Sequence, residues 1–212
     1  MPIDITPHLD PSSCAVVNME CQENLIGASS VLPGLAKAAE EVGLVANCAA
    51  LFDAARRVGT RIYYCLDTRR PDGFGRANNT LVHRRMASDS ARETGWSGGH
   101  GPVVAPLSPH PEDVVIPREQ GLTGFFGTGL DAYLRNTGVH TVIVTGVSLN
   151  IAVLGTAIEG MNLGYQVIVP NDCTASDPPE YADIALRYTG RNIALVAPSA
   201  AIVEHWNALP AA

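Results

Sequence analysis

A glutamate and an arginine lie where two predicted strands end. The glutamate could transfer a proton, and the arginine could act as its electrostatic partner. Glu20 closes residues 14–20, a valine-rich run typical of a strand that is buried on both faces. Arg118 follows the apolar run 113–117. Burial at a strand end disfavours the charged form of a carboxyl, which suits it to general acid–base catalysis near neutral pH. The sequence leaves two alternatives open: a carboxylate that caps loop amides, and an ion pair between Arg118 and Glu20 that is only structural.

Few side chains near these groups could attack a substrate covalently. Cys65 lies near the end of a second predicted strand, residues 61–67, and Ser148 lies in a Gly-Val-Ser turn. The alternatives for these two residues are a buried structural thiol and a helix-capping hydroxyl. Cys21 follows Glu20 directly, so the alternation of side chains along a strand would direct it to the opposite face. No histidine or cysteine cluster has metal-ligand spacing, and no phosphate loop or G-x-G-x-x-G is present.

Strand-like runs alternate with helical runs along the chain, which predicts parallel βαβ units. The predicted strands are residues 14–20, 61–67, 113–117, 142–145, 166–170 and 194–196. We therefore expect an α/β protein with three α/β/α layers, a doubly wound six-stranded parallel sheet and right-handed connections. In such a sheet the ligand site lies outside the carboxyl ends of the strands, where the strand order reverses. The helix after the fourth strand is expected to bury Ile151, Leu154, Ile158 and Met161.

The composition changes in residues 68–111, where Gly, Ser, Pro, Asn and Arg dominate and only residues 81–87 look helical. A long segment of this kind inside a domain is usually a functional loop. We therefore predict a lid insertion at 68–111 within a single domain that spans residues 1–212. The arginines of this segment either bind a substrate carboxylate or form a solvated surface; they are Arg69, Arg70, Arg76, Arg84 and Arg85.

The stretch 143–176 resembles the isochorismatase-like (cysteine hydrolase) superfamily. The family pattern runs roughly G-V-x-x-x-x-C-V-x-x-T-A, then a helix, then G-Y and a strand with a D-x-x-A-S-type exit. The residues that fall on it are Gly146, Val147, Val153, Thr156, Ala157, Gly164, Tyr165, Asp172, Ala175 and Ser176. The resemblance covers about residues 14–199 and implies an α/β hydrolase of a small molecule, without an organic cofactor and usually oligomeric.

The resemblance also implies which residues form the site, and this chain departs from the family there. Glu20 takes the place of the acid–base aspartate of D-x-Q, and Gln22 matches the glutamine. Counting back from the F-x-G-T turn places the family lysine at Glu119, beside Arg118. An arginine supplies positive charge there but cannot shuttle a proton as a lysine can. No histidine follows Asp67 where the family carries metal ligands, so no metal site is expected.

Ala152 takes the position of the family's nucleophilic cysteine, in a turn that keeps Ser148 and Asn150. In the family a thiol at this first helical turn has a depressed pKa, and the backbone amides of the turn hold an oxyanion. The family turn commonly contains a cis peptide near Val147-Ser148. Two explanations of the alanine stay open: natural loss of the cysteine, as in members that cleave a vinyl ether without it, and a deliberate change that traps a substrate.

Three functions follow as alternatives. We favour a hydrolase of a small organic substrate that uses acid–base chemistry through Glu20, without a cysteine nucleophile. The others are a cysteine-dependent C–N hydrolase present as an alanine variant at position 152, and a catalytically inactive binding homologue. The expected catalytic positions are Glu20, Arg118 and Ala152, and the expected substrate-binding residues are Gln22, Cys65, Glu119, Ser148 and Asn150.

The bulk composition limits the remaining possibilities. With 212 residues and 46% hydrophobic side chains, the chain is expected to form one domain with a large core. The net charge of −7 and the absence of a basic stripe argue against nucleic acid as a partner. The apolar runs are shorter than a membrane span, and no signal-peptide pattern is visible. Five cysteines without framework spacing indicate reduced thiols, so we expect a cytoplasmic protein with no membrane partner. The resemblance implies that it is a homo-oligomer.

Overall fold

A parallel sheet forms the centre of the computed structural model, which describes residues 4–70, 72–87 and 101–212. Its strand order is β3-β2-β1-β4-β5-β6, and all neighbouring strands run parallel. The strands are β1 (Cys14–Met19), β2 (Arg61–Asp67), β3 (Val114–Arg118), β4 (Thr141–Gly146), β5 (Gln166–Pro170) and β6 (Leu195–Ala197). The predicted six-stranded sheet is confirmed, and no strand boundary differs from its prediction by more than one residue.

Helices connect the strands and cover both faces of the sheet. They are α1 (Glu23–Ile26), α2 (Pro33–Glu41), α3 (Leu44–Arg57), α4 (Leu81–Ala87), α5 (Leu130–Asn136), α6 (Leu154–Asn162), α7 (Glu180–Ala185), α8 (Arg191–Ile193) and α9 (Ser199–Asn207). A wide π-type turn, Leu149–Val153, leads into α6, and another, Leu186–Gly190, follows α7. Helix α2 was not predicted from the sequence, because Pro33 suggests a break between secondary-structure elements. In the structure this proline takes the first helical turn, where a missing N–H costs nothing.

Two hydrophobic clusters lie on opposite faces of the sheet, which confirms the doubly wound arrangement. Successive residues of β1 alternate between the clusters, with Val16 in one and Val17 in the other. The first cluster includes α3 and α9, and Trp206 of α9 donates a hydrogen bond to the carbonyl of Leu9 (2.9 Å). The second cluster includes α5 and α6, so each layer of helices buries its own apolar face.

The expected buried face of α6 is wrong at its outer positions. Ile158 and Met161 are about 40% exposed, whereas Thr156, Ala157 and Gly160 are buried. Gly160 explains the difference, because a Cβ there would lie 3.4 Å from Val167 on β5 and 3.5 Å from Val142 on β4. Small residues let α6 approach the sheet closely, and this turns its larger side chains outward.

The strand order reverses between β1 and β4, and the chain is tightly packed at that point. Met19 pairs with Gly146 at the ends of the two strands, and the next amide, of Val147, donates to the Met19 carbonyl (2.9 Å). Gly146 has φ 98°, and a Cβ at this residue would collide with the Met19 carbonyl. The reversal opens a crevice at the carboxyl ends of the strands, as in other doubly wound sheets.

Among the described residues, none of the helices combines the length and the apolar character that crossing a bilayer requires.

Candidate active site

A cavity of about 230 Å³ lies at the carboxyl ends of the strands. Its polar lining includes Glu20, Asp67, Arg76, His83, Arg118 and Ser148. Its apolar lining includes Leu25, Leu35, Val82, Leu122, Ile151 and Ala152. A cavity with mainly apolar walls and a few convergent polar groups is typical of a small-molecule site. The structure therefore brings together Glu20, Arg118, Glu119, Ser148, Asn150 and Ala152, which the sequence analysis selected.

Glu20 occupies the first position after β1 in a conformation that few non-glycine residues adopt. Its φ is 52°, in the left-handed region. Its backbone N–H donates to the Cys65 carbonyl (3.2 Å), and its own carbonyl accepts from the Gln22 N–H (2.7 Å). These bonds fix the backbone on both sides of the residue and end the strand. The side chain retains 15% exposure and lines the cavity.

Arg118 is the last residue of β3 and forms an ion pair with Glu20. Its side chain is only 1% exposed, and Nη1 also donates to the Gly121 carbonyl (2.8 Å). Burial lowers the pKa of Arg118 to about 10, so the guanidinium stays charged at neutral pH. The sequence analysis based the acid–base role of Glu20 on burial, which disfavours the charged form of a carboxyl. The paired cation acts in the opposite direction and favours the carboxylate.

Arg118 and Glu119 have different positions relative to this ion pair. Strand β3 extends one residue beyond its predicted end, and its register sets Arg118 beside Asp67. Glu119 follows the strand and is exposed, although it also lines the cavity. Arg118, and not the position reached by counting, therefore supplies the cation that touches Glu20.

The turn before α6 is held from both sides. The N–H of Leu149 donates to the Ala175 carbonyl (2.8 Å), and the hydroxyl of Thr156 donates to the Ala152 carbonyl (2.7 Å). The same hydroxyl accepts from the N–H of Gly124 (2.8 Å) in the loop after β3. The peptide Val147-Ser148 is cis, as the resemblance implies. The N–H groups of Ile151 and Val153 donate to the Ser148 carbonyl (3.2 and 3.1 Å), so the amides of Asn150 and Ala152 are the candidates in this turn to receive an oxyanion.

Ala152 places a methyl group, and no nucleophilic atom, at this turn. The residue is 3% exposed and lines the cavity, together with the half-buried Ser148 and the exposed Asn150. Any nucleophile that replaces the family cysteine would therefore have to come from another group near the strand ends.

Gln22 and Cys65 are not among the described residues that line the cavity, in contrast to their predicted substrate-binding role. Gln22 is buried, its Nε2 donates to the carbonyls of Asp67 (3.2 Å) and Gly101 (2.9 Å), and its Oε1 accepts from the Asp67 N–H (2.9 Å). It ties the end of β1 to the end of β2. The sequence pattern finds such a residue but does not show that all its polar atoms are engaged inside the protein.

Cys65 lies in the core beneath the site. It is fully buried, and burial raises its pKa to about 12. The neighbouring Cys21 is also fully buried, with its pKa raised to about 12 mainly by burial. Because the thiolate is the reactive form of cysteine, both residues are inert at neutral pH.

The segment 72–87 adds to the site a histidine that the sequence analysis did not select and one of the arginines for which it left carboxylate binding open. His83 of α4 and Arg76 line the cavity, and His83 is 9% exposed. Asp67 lines it as well, and its Oδ2 accepts from Nε (3.1 Å) and Nη2 (2.7 Å) of Arg69. Among the arginine side chains of the segment that the structure describes, Arg76 lines the cavity. No local motif distinguishes His83, because its position depends on the path by which residues 72–87 return over the strand ends.

In the described ranges, no group of three or more His, Cys, Asp or Glu side chains is arranged to hold a metal ion.

The sequence is similar to a known protein family and to several characterised relatives. Residues 14–201 match the profile of the isochorismatase domain. Ureidoacrylate amidohydrolase RutB of Pantoea ananatis is 30% identical over 155 residues, which cover 68% of this chain and 62% of RutB. RutB of Stutzerimonas stutzeri is 32% identical over 103 residues, which cover 49% of this chain and 40% of that protein. The chain thus spans less than two thirds of the length of these relatives.

Solved structures share the fold over most of the chain. A cysteine hydrolase from Pseudomonas syringae superimposes with a TM-score of 0.76 at 22% identity, over 95% of each chain. N-carbamoylsarcosine amidase from Thermoplasma acidophilum superimposes with a TM-score of 0.66 at 26% identity, over 88% of this chain and 96% of the amidase.

Proposed function

Because the chain belongs to the isochorismatase domain family, we propose that it is a hydrolase of a small organic substrate, with Glu20 as its acid–base residue and no covalent enzyme intermediate. One observation carries this proposal: the ion pair of Glu20 and Arg118 shares a cavity with Ala152. A proton-transferring carboxylate is therefore present at the site where the family thiol is missing.

The residues at positions 20 and 152 differ from the family pattern in opposite ways, since one side chain is longer and the other is shorter. Relative to the family pattern, glutamate at position 20 is one methylene longer than aspartate, and alanine at position 152 is shorter than cysteine by its sulfur. Space released by the sulfur suits a water molecule, and the longer carboxylate reaches further toward it. Water bound there replaces the thiol as the nucleophile.

The reaction then proceeds by two proton transfers. Glu20 accepts a proton from the water as its oxygen bonds to the electrophilic carbon of the substrate. The backbone N–H groups of Asn150 and Ala152 in the turn stabilise the resulting oxyanion. The intermediate collapses as the bond to the leaving nitrogen or oxygen breaks, and Glu20 returns the proton to that atom. Arg118 holds the carboxylate in place and keeps it ionised between cycles.

The relatives suggest which substrates to test first. Ureidoacrylate and N-carbamoylsarcosine, named in two of these relatives, both contain a carbamoyl group attached to nitrogen. The cavity of this chain combines a charged floor with apolar walls from Leu25 and Leu35. We propose ureido acids and small amides as the first substrate class. Vinyl ethers are the second class; there a protonated Glu20 would give its proton to the vinyl carbon, and water would then add to the carbon that bears the ether oxygen and release the alcohol.

A substrate screen tests the proposal. Small ureido acids, amides and vinyl ethers are incubated with the protein and, in parallel, with its Glu20→Gln variant. Hydrolysis by the first and not by the second supports the proposed function. Tight binding of a panel member without any turnover supports the inactive binding homologue instead.

A cysteine-dependent C–N hydrolase, present here with alanine at position 152, is the second candidate. The names of the relatives favour it, and so does the place of Ala152 at a helical turn on the cavity wall.

We expect Ala152→Cys to create a reactive thiol but little new amidase activity. A helix N-terminus and the nearby Arg118 lower the pKa of a thiol, so iodoacetamide should label Cys at this position at least about 10-fold faster than the native thiols. Arg118 stands where the family has its lysine and cannot shuttle a proton as a lysine can, so turnover should rise by less than about 10-fold. Peptide mapping and single-turnover acylation by an amide panel measure both effects, with Ala152→Ser as the matched control. Rapid acylation followed by turnover would instead support the second candidate.

Several expectations stay predictions: a cytoplasmic location, a homo-oligomer, a single domain with a lid at 68–111, and activity without a metal or an organic cofactor. The exposed side chains of Ile158 and Met161 on α6 are the surface where we would first look for contacts between copies.

A further inference from the structure

His83 holds a fixed place on the cavity wall. It lies in the first turn of α4, and its N–H donates to the hydroxyl of Thr80 (3.2 Å), while the Thr80 carbonyl accepts from the N–H of Arg84 (3.1 Å). Thr80 therefore caps the helix and sets its start. The imidazole is largely buried, yet it lines the same cavity as Glu20 and Ala152. A histidine in this position meets whatever molecule the cavity binds.

The hydrogen bond to Asn79 determines which ring nitrogen of His83 keeps its lone pair. Nδ1 of His83 lies 3.1 Å from Oδ1 of Asn79. An amide oxygen only accepts, so Nδ1 carries the proton in this arrangement and Nε2 keeps its lone pair. Asn79 thus orients the ring and selects one tautomer.

The surrounding charges keep the imidazole neutral. Burial lowers the pKa of His83, and the positive charges of Arg76 and Arg69 act in the same direction, while Asp67 acts against them. These groups belong to the lid segment and to the end of β2, the parts of the chain that face His83. At neutral pH the ring is therefore an uncharged hydrogen-bond acceptor and not a cation.

We propose that His83 is a specificity-determining residue whose Nε2 accepts a hydrogen bond from an N–H or O–H group of the substrate. The proposal rests on the proposed function, because it assigns a role to a second wall of the same site. A neutral acceptor on the wall selects ligands that carry a donor, such as ureido and amide N–H groups. It rejects their N-alkylated counterparts, because the buried lone pair then loses its partner.

The first test is independent of any substrate. Nitrogen-15 NMR of the imidazole rings, with the His83 signals assigned by their loss in His83→Gln, reports the tautomer directly. We expect the Nδ1–H form and a titration midpoint below the ordinary value of 6.5. In Asn79→Ala, a mixture of tautomers should appear. A pure Nε2–H form in the unchanged protein would overturn the proposal, whether or not the protein is a hydrolase.

The second test measures recognition with matched probes. N-carbamoylglycine and N-(dimethylcarbamoyl)sarcosine, whose ureido nitrogens carry no hydrogen, are titrated against the protein, His83→Leu and His83→Gln, which keeps an acceptor oxygen. We expect His83→Leu to weaken binding of the first probe about 10-fold, to leave the second within 2-fold, and His83→Gln to recover most of the loss. Where the first probe is turned over, KM should change and kcat should not.

Equal discrimination between the probes in all three proteins, or no binding of either probe, overturns the proposal. Failure of the proposed function is a separate outcome, because it shows as unchanged hydrolysis in Glu20→Gln. The NMR result does not depend on whether the protein hydrolyses a substrate.

Discussion

Glu20→Gln is expected to lower kcat/KM for hydrolysis about 100-fold or more, while the protein stays folded. Glutamine keeps the size and the hydrogen-bonding capacity of the side chain at the end of β1 but cannot accept a proton. The variant also removes the anionic partner of Arg118, so the loss of activity is read together with the folded state of the variant. Steady-state kinetics on the first substrate found by the screen, together with circular dichroism of the variant, measure it.

Two further variants sharpen this result. Glu204→Gln makes the same chemical change on the exposed surface of α9 and should keep full activity. Glu20→Asp retains the carboxylate but withdraws it by one methylene, so an activity between those of the wild type and Glu20→Gln is expected. Full activity in Glu20→Gln would move the chemistry to another residue.

Arg118→Met is expected to lower the free energy of unfolding by about 3 kcal/mol. The Arg118 side chain is almost completely buried against Glu20, and methionine fills similar space without charge. The loss comes mainly from leaving the Glu20 carboxylate in a largely buried position without its cation. Urea unfolding at neutral pH, followed by circular dichroism, measures the change.

The double variant Glu20→Gln/Arg118→Met separates charge from packing. It removes both charges, so it should be more stable than Arg118→Met alone, by an amount that reports their coupling. Arg187→Met, which removes an exposed arginine that stacks on Tyr188, is the matched control and should change stability little. If Arg118→Met unfolds like the wild type, the ion pair contributes nothing measurable to the fold.

The sheet could be predicted from the sequence because buried parallel strands leave strong local signals. Val16-Val17 in β1 and residues 167–169 in β5 are apolar and β-branched, and a pattern detects such runs without knowledge of the neighbouring strands. Helix α6 shows the limit of the same reasoning. Its large apolar residues suggested the buried face, but the close approach through Gly160 is a tertiary feature that periodicity does not contain.

The residues of the candidate site also fall into two groups: those that the sequence predicts and those whose position depends on the tertiary structure. Glu20 and Ala152 were found because each belongs to a motif with fixed spacing. The choice between Arg118 and Glu119 needed the register of β3 on β2, since a one-residue difference exchanges a buried side chain for an exposed one. His83 could not be found, because its relation to Glu20 depends on the fold of the lid segment over the strand ends.

Rapid-quench mass spectrometry of the intact protein during turnover tests the central claim most directly. The account predicts that the protein keeps its unmodified mass at every time point and that product forms without a burst, because water attacks the substrate directly. A stoichiometric adduct that forms and decays at the catalytic rate, mapped to Ser148, Cys65 or any other side chain, would contradict it.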